Sequence, residues 1–333
     1  MRSCQRSLPS VLKLLPTMTL KDTIDQKAKR DRTLVQAAIA ILIGTAVLGG
    51  VALAAPMFIK EEEIPEPVVE APKPDAFAGM RLQGKAAIVY DLTTGETLYA
   101  ENAEAQLPLA SLTKLLTVYA GVTTLEDDSP VTISETALAA EGESGFILGE
   151  TFTFRDAAEL ALVASSNDAA AAIAEAAQKK RGLAGSALMA SAAQAAHLSQ
   201  TYALNGTGLD EDAEVSGGYG SARDVAILAG ALLEAAPDLA QTTTKATVSV
   251  VSETGIPHQM KNTNQGVVEI PGALLSKTGF TDLAGGNLAV VFDAGFGHPV
   301  AVVVLGSTVE GRFTDVARLV EATHAHFAGT TPL

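Results

Sequence analysis

The chain has 333 residues, about two domain-lengths at roughly 150 residues each, although one larger α/β domain with attachments fits as well. With 47% apolar and 18% charged residues it can bury a sizeable core, which excludes a wholly disordered, collagen-like or disulfide-stapled protein; the single cysteine, Cys4, has no internal partner. A net charge of −15, no tryptophan and five tyrosines make a poor footprint for nucleic acid, so no nucleic-acid partner is expected.

Residues 1–33 are basic, with Lys27, Lys29, Arg30 and Arg32 clustered at their end, and the acidic excess lies entirely beyond them. Between Leu34 and Ala55 runs a stretch without a charged residue, closed by Pro56. As a helix it reaches about 33 Å, enough for a hydrocarbon core of about 30 Å. The basic cluster before it and Glu61, Glu62 and Glu63 after it place the N-terminus in the cytoplasm and export the remainder. The expectation is a cytoplasmic tail over 1–33 and a single-pass signal-anchor over 34–56, with the rest extracytoplasmic (periplasmic). Ala52-Leu53-Ala54 offers a cleavage pattern, so release after trimming is the alternative; the length of the apolar run and of the tail argue for retention, although a start at Met18 would shorten the tail. Residues 57–83, with Pro65, Pro67, Pro72 and Pro74 among acids, show neither helical nor strand period and read as a linker, whose twenty or so extended residues span on the order of 60 Å at most.

The folded domain is expected over 84–330. Ala86 to Tyr90 and Thr97 to Tyr99 read as strands joined through a turn at Gly95. Helical periodicity follows at Ser111 to Tyr119, Asp156 to Leu162, Ala169 to Ala177, Ala187 to Ala196, Ala222 to Leu233 and Asp315 to Phe327. Strands return at Val248 to Val251, Leu274 to Lys277, Asn287 to Phe292 and Val300 to Leu305, the last two separated by a hairpin loop around Gly295 and Gly297. Strands at both ends of the domain with helices between predict an α/β fold: one antiparallel sheet with a helical lobe, the last helix packed on the sheet.

Three short patterns carry chemistry. In Ser111-Leu112-Thr113-Lys114 a helix starting at Ser111 puts Lys114 one turn on, where an unprotonated amine can take the hydroxyl's proton. The spacing alone is weak, since Ser10 and Lys13 share it. Ser165-Ser166-Asn167 can project a hydroxyl and a carboxamide into a cleft, or can simply cap the helix that follows. Lys277-Thr278-Gly279 offers a cation, a hydroxyl and a glycine that lets a substrate backbone lie close to a strand, or merely ends one.

In this order and at these spacings the three patterns resemble the active-site set of the penicillin-recognising serine enzymes. The similarity is strongest to the D-alanyl-D-alanine carboxypeptidases among low-molecular-mass penicillin-binding proteins, and spans Ala87 to Ala328. It takes in Gly206-Thr207-Gly208-Leu209-Asp210, Ser221-Ala222-Arg223-Asp224 and Asn262-Thr263-Asn264 as well. The resemblance implies a β-lactamase/transpeptidase-like fold and a serine carboxypeptidase that removes the terminal D-alanine of peptidoglycan stem peptides, with β-lactam antibiotics as covalent inhibitors and no cofactor. It assigns Ser111 as nucleophile, Lys114 as base, Ser165 as proton relay, Asn167 to the substrate amide and Lys277 to the electrostatics. Backbone N–H groups of Ser111 and Phe280, the residue after Gly279, would form the oxyanion hole, and Thr278 and Arg312 would face the terminal carboxylate. Two lysines converging on one cleft make it costly to protonate both, so one can be neutral near pH 7. Ser166 stands where relatives often have glycine and is expected to matter little if its side chain points away from the cleft. Relatives often continue into a β-rich domain and an amphipathic helix; here the N-terminal segment is expected to replace that anchor.

Other classes fare worse. A G-x-S-x-G elbow and a Glu-x-x-Leu-Asn pattern after Asn167 are absent, and His197, His258, His298, His324 and His326 show no zinc spacing, so no metal is expected and each histidine reads as a surface or packing residue. The rivals that remain are an endopeptidase acting on cross-links and a penicillin-binding sensor that acylates without turnover.

Overall fold

The computed structural model describes residues 29–43, 75–142 and 145–331, together with Asp25 and Lys27. The chain divides into two units, Met1–Ala71 and Pro72–Leu333. In the first, residues 29–43 form a helix with Leu34, Ile41 and Leu42 exposed. No helix among the described residues is long and apolar enough to cross a membrane. Residues 44–56 of the expected anchor, residues 57–74 of the expected linker and most of the 1–33 tail lie outside the described residues.

The second unit begins its regular structure with strands β1 (Ala86–Asp91), β2 (Thr97–Glu101) and β3 (Leu107–Pro108), followed by a single 3-10 turn at Ala110–Leu112 and helix α1 (Thr113–Val122). Then come β4 (Pro130–Thr132), α2 (Glu135–Leu138), β5 (Thr151–Thr153), α3 (Phe154–Val163), α4 (Asn167–Arg181), α5 (Gly185–Ala195), β6 (Tyr202–Ala203), β7 (Gly218–Gly220), α6 (Ala222–Ala235) and α7 (Pro237–Thr242). The chain closes with β8 (Thr247–Val251), β9 (Pro257–Lys261), β10 (Ala273–Thr281), β11 (Gly285–Asp293), β12 (Pro299–Ser307) and α8 (Gly311–Ala328).

Strands from the two ends of this unit form one antiparallel sheet in the order β10-β11-β12-β1-β2. Ala86 stands opposite Leu305 and Asp91 opposite Val300, so the first strand is zipped onto the last. Alternation sorts the sheet's side chains between two cores. Ala87, Val89, Val290, Phe292, Val302 and Val304 pack under α8 against Val316, Leu319 and Val320. Ile88, Ala289, Val291, Ala301 and Val303 face the helical lobe, meeting Leu109, Leu112 and Leu115. Because β12 is covered on both faces it reads as a continuous apolar run, VAVVVL, rather than an alternating one.

Side-chain oxygens set the helix starts. Ser134, Thr153, Ser166 and Ser221 each accept from the N–H three residues on, worth about 1 kcal/mol apiece. Helix α4 ends on Lys179, Lys180 and Arg181 beside its dipole's negative end and stops at Gly182 in the left-handed conformation. Where the chain enters the fold, the buried Asp315 of α8 accepts from the backbone N–H of Gln83 and Gly84 and from Ser307 Oγ.

One buried side-chain hydrogen bond ties the β8–β9 hairpin to the lobe. His258 Nε2 lies 2.7 Å from Glu150 Oε1, both side chains buried, with the Phe146 and Phe152 rings edge-on to the imidazole. Burial raises the Glu150 carboxyl, but hydrogen bonds from His258, the Ile147 N–H and Ser252 outweigh it and leave the group below the ordinary carboxylate value. A carboxylate depressed in the folded state stabilises it above the unfolded value of about 4.3, and that contribution is lost as pH falls through the folded value. Glu150→Gln is therefore expected to lower unfolding free energy at pH 7 by about 1–3 kcal/mol, and to lose stability less steeply than the parent below about pH 4. Urea unfolding of both proteins across that range checks it; parallel acid limbs would remove the pair from the account.

Candidate active site

The three patterns meet at the seam between sheet and lobe. Ser111 sits in the 3-10 turn just before α1 rather than inside the helix, and Lys114 lies in the first turn of α1. Lys114 Nζ is 2.8 Å from Ser111 Oγ, 2.6 Å from Asn167 Oδ1 and 2.8 Å from the Thr207 carbonyl oxygen. Two of these partners, an amide oxygen and a backbone carbonyl, can only accept. A neutral amine has two N–H bonds and one lone pair, so donating to both turns the lone pair onto the Ser111 hydroxyl. Lys114 is fully buried, and that burial lowers it from the usual lysine value to about 7.

Lys277, mid-strand in β10 opposite Ala289, is also buried. Its Nζ lies 2.8 Å from Ser165 Oγ and donates to the Thr278 carbonyl at 2.9 Å. Burial first, then the charges of Lys114 and Arg312, push it well below the ordinary lysine value. Thr278 Oγ1 reaches Thr263 Oγ1 at 2.6 Å. Arg312, on the first turn of α8, donates from Nη1 to the Gly279 carbonyl at 2.7 Å and thereby ties α8 to β10.

The turn between α3 and α4 resolves the two readings of Ser165-Ser166-Asn167, because both hold. Ser166 Oγ caps α4 by accepting from the Ala169 N–H at 3.1 Å, while Ser165 and Asn167, either side of it, enter the site. The buried hydroxyl of Ser166 fixes the start of the helix that carries Asn167. Asn167 Nδ2 donates to the Glu141 carbonyl, which leaves it one further N–H.

Backbone constraints bring these elements together. Ala110, immediately before Ser111, has φ 49°, and Ser165 has φ 60°, both in a left-handed region that side chains rarely adopt. Gly279 lets β10 pass against the serine's turn: a Cβ there would stand 2.9 Å from the Leu109 carbonyl and 3.2 Å from the Leu112 N–H. Gly208, at φ 78°, is held tighter still, since its Cβ would lie 1.9 Å from the Ala110 carbonyl. The Asn205 side-chain oxygen gathers the N–H groups of Thr207 and Gly208 at 3.1 and 2.7 Å, fixing the turn that presents the Thr207 carbonyl to Lys114.

Beside Asn167 and Phe280 opens a cleft of about 580 Å³, walled by Glu141, Leu209, Asp210 and Thr281. Phe280 is half exposed at its edge. Thr207 and Glu141, whose contributions are backbone carbonyls, and Thr263 have no role in the sequence reading; two of them lie in stretches shared with the resembling family, but a carbonyl leaves no side-chain signature. Among the described residues, no three His, Cys, Asp or Glu side chains gather where they could hold a metal ion.

A serine paired to a buried lysine, at the junction of a five-stranded antiparallel sheet and a helical lobe, defines the class of Ser–Lys acyl-transfer enzymes. The chain belongs to the D-alanyl-D-alanine carboxypeptidase family, peptidase S11, whose sequence model matches residues 70–309. Curated relatives include the D-alanyl-D-alanine carboxypeptidase DacF of Bacillus subtilis, 29% identical over 75% of this chain and 64% of its own length. DacD of Salmonella typhimurium is 29% identical over 78% of this chain and 66% of its own. The chain thus spans slightly less than two thirds of these relatives. Penicillin-binding protein D2 of Listeria monocytogenes, solved with ampicillin bound, superposes with a TM-score of 0.63 at 28% identity, covering 73% of this chain and 98% of that one.

Lys114 supplies a pH signature. Below about pH 7 its amine is protonated and cannot accept, so acylation should climb toward neutrality and level off above it. Single-turnover acylation by a penicillin between pH 5 and 9, taken as roughly tenfold per pH unit on the rising limb, checks this. Lys114→Met should keep only a slow, pH-independent remainder; a variant that retained the limb would assign the base elsewhere.

Proposed function

We propose that this chain is a membrane-tethered serine D-Ala-D-Ala carboxypeptidase that removes the terminal D-alanine from peptidoglycan stem peptides. The observation that carries the reading is the buried amine of Lys114, lowered to about 7 and 2.8 Å from Ser111 Oγ with its other partners restricted to acceptors.

Ser111 Oγ attacks the carbonyl of the penultimate residue as its proton passes to Lys114 Nζ. The backbone N–H groups of Ser111 and Phe280 receive the developing oxyanion, a type of contact worth about 100- to 1000-fold in rate per donor. The packing of Gly279 against Leu109 and Leu112 supports this pairing, because it sets the two donor segments side by side. The C–N bond breaks as Ser165 hands its proton to the leaving amine and takes one from Lys277. Water then attacks the ester, its proton making good the one lost from Lys277, while Lys114 returns its own to Ser111 Oγ as that oxygen leaves. Asn167 offers its remaining N–H to a substrate carbonyl, and Thr278 with Arg312 receives the terminal carboxylate. A β-lactam enters the same sequence at its strained amide; the Listeria relative with ampicillin bound supports that partner.

The tether is residues 34–56, with 1–33 cytoplasmic, 57–83 a linker and 84–330 the peptidase domain outside the cytoplasm. The uncharged run between Arg32 and Lys60, with the basic cluster before it and Glu61 to Glu63 after it, supports this placement.

Incubation with a pentapeptide ending in D-Ala-D-Ala should release one D-alanine per peptide, and Ser111→Ala should reduce that release by roughly ten-thousand-fold. Conversion of cross-linked muropeptides to monomers without D-alanine release would replace the carboxypeptidase reading by an endopeptidase one. Stoichiometric penicillin labelling with no turnover would replace it by a sensor.

A further inference from the structure

The hairpin loop between β11 and β12 presents an aromatic ring to solvent with unusual care. Phe296 is entirely exposed, at 112% of its reference area, and sits at φ 58°. The turn beneath it is fixed by Asp293, whose carboxylate oxygens accept from the N–H groups of Gly295, Gly297 and His298 at 2.8, 3.0 and 2.8 Å. A fixed turn holding a large apolar side chain outward in a strained conformation is the arrangement of a contact surface rather than of a slack loop.

Its surroundings continue the theme. The His298 ring stands 4.9 Å from that of Phe327, itself 42% exposed at the end of α8. Phe327 meets His326 at 5.4 Å, and His326 meets Phe77 at 6.0 Å. Four rings thus run from the β11–β12 loop to the point where the chain enters the folded unit, with Phe296 at the outer tip. From Phe77 the chain proceeds along α8 from its C-terminal end to Gln83, which bonds Asp315 near the N-terminal end. The entry point and the aromatic tip therefore share one end of the sheet.

The cleft is at the other end. Register places Ala273 opposite Phe292 and Thr281 opposite Gly285, so β10 leads from the hairpin end to Phe280 and Thr281. Eight residues of strand separate those ends by roughly 26 Å.

We propose that Phe296, on the loop whose His298 packs against Phe327, rests in the headgroup region of a lipid bilayer and stands the domain with its cleft directed away from the membrane. This rests on the reading of residues 34–56 as an anchor. The occupant follows from the chain's path: the segment leading back to that apolar run leaves from this same end, and an exposed Phe ring suits burial at the boundary of headgroup and acyl chain. With an acidic domain, the contact is apolar rather than electrostatic, so phosphatidylcholine, which carries no net charge, is a sufficient surface.

The sequence contains no tryptophan, so a single substitution gives a unique probe. The full-length Phe296→Trp chain, reconstituted in phosphatidylcholine vesicles, should show blue-shifted emission, quenching by brominated acyl chains and protection from acrylamide. Leu148→Trp, on the loop bordering the cleft, should show water-like emission and full acrylamide quenching. D-alanine release from a soluble pentapeptide should be unchanged in Phe296→Ser. Vesicle-bound protein whose Phe296→Trp indole is quenched only from water would overturn the contact while leaving the anchor intact. A blue shift that follows protein concentration without lipid would overturn it in favour of a second copy as occupant. Failure of the chain to float with vesicles would overturn the anchor and the contact together.

Discussion

The site depends on one costly arrangement, an amine enclosed where water cannot solvate its charge. Burial of Lys114 removes the hydration that normally keeps a lysine protonated, and the interior returns only neutral oxygens. The sign of the consequence is fixed. The folded state binds fewer protons than the unfolded chain between about 7 and the ordinary lysine value, so the stability cost is full at acid pH and fades as pH rises through that window. What the fold obtains is direction. An exposed lysine samples many rotamers, whereas this one, donating to Asn167 and Thr207, has a single place for its lone pair.

Keeping that direction requires backbone that does not relax. Left-handed Ala110 precedes Ser111, and left-handed Ser165 carries the hydroxyl bonded to Lys277. At Ala110 the surroundings block relaxation: Gly279 presses β10 against the turn on one side and Gly208 presses the Asn205 loop against the Ala110 carbonyl on the other. The antiparallel sheet is the rigid member, buried on both faces, and its long strands carry Lys277 and Gly279 to the seam.

This division explains what could be read in the amino-acid sequence. The five strands of the main sheet were legible because β11 and β12 are long apolar runs, because β10 opens on Ala-Leu-Leu before the Lys-Thr-Gly pattern, and because β1 and β2 flank a glycine turn; the six principal helices showed through their period. Strands β3, β6 and β7, of two or three residues, are too short to carry any period and exist only because tertiary contacts pair them. Strand β9, PHQMK, opens on proline and is mostly polar, and α7 is barely more than a turn. At the site, side chains with chemical character were legible and carbonyls were not. Thr207 and Glu141 contribute atoms that every residue possesses, so only the path of the chain singles them out. Ser166 shows the converse, a side chain whose capping role was visible as a pattern but could not be ranked against a place in the cleft.

The electrostatic balance of the pocket shows what it awaits. Lys114, Lys277 and Arg312 lie close enough that the other two charges depress Lys277, yet their hydrogen bonds go to neutral oxygens of Ser111, Asn167, Thr207, Ser165, Thr278 and Gly279. In a chain of net charge −15, carboxylates are plentiful, and two buried ones lie against imidazoles, Glu150 against His258 and Asp91 against His298. Crowding three basic side chains disfavours protonating all of them, and an anion among them would favour it. Under the proposed carboxypeptidase reading, a peptide's terminal carboxylate would be that anion in the ground state and the oxyanion a second in the transition state. Such a carboxylate would also reverse the influence on Lys277, since a charge effect that lowers a lysine beside cations raises it beside an anion. On that reading the depressed lysine of the resting site and the proton source of the expulsion step would be the same residue, switched by the charge of the bound peptide.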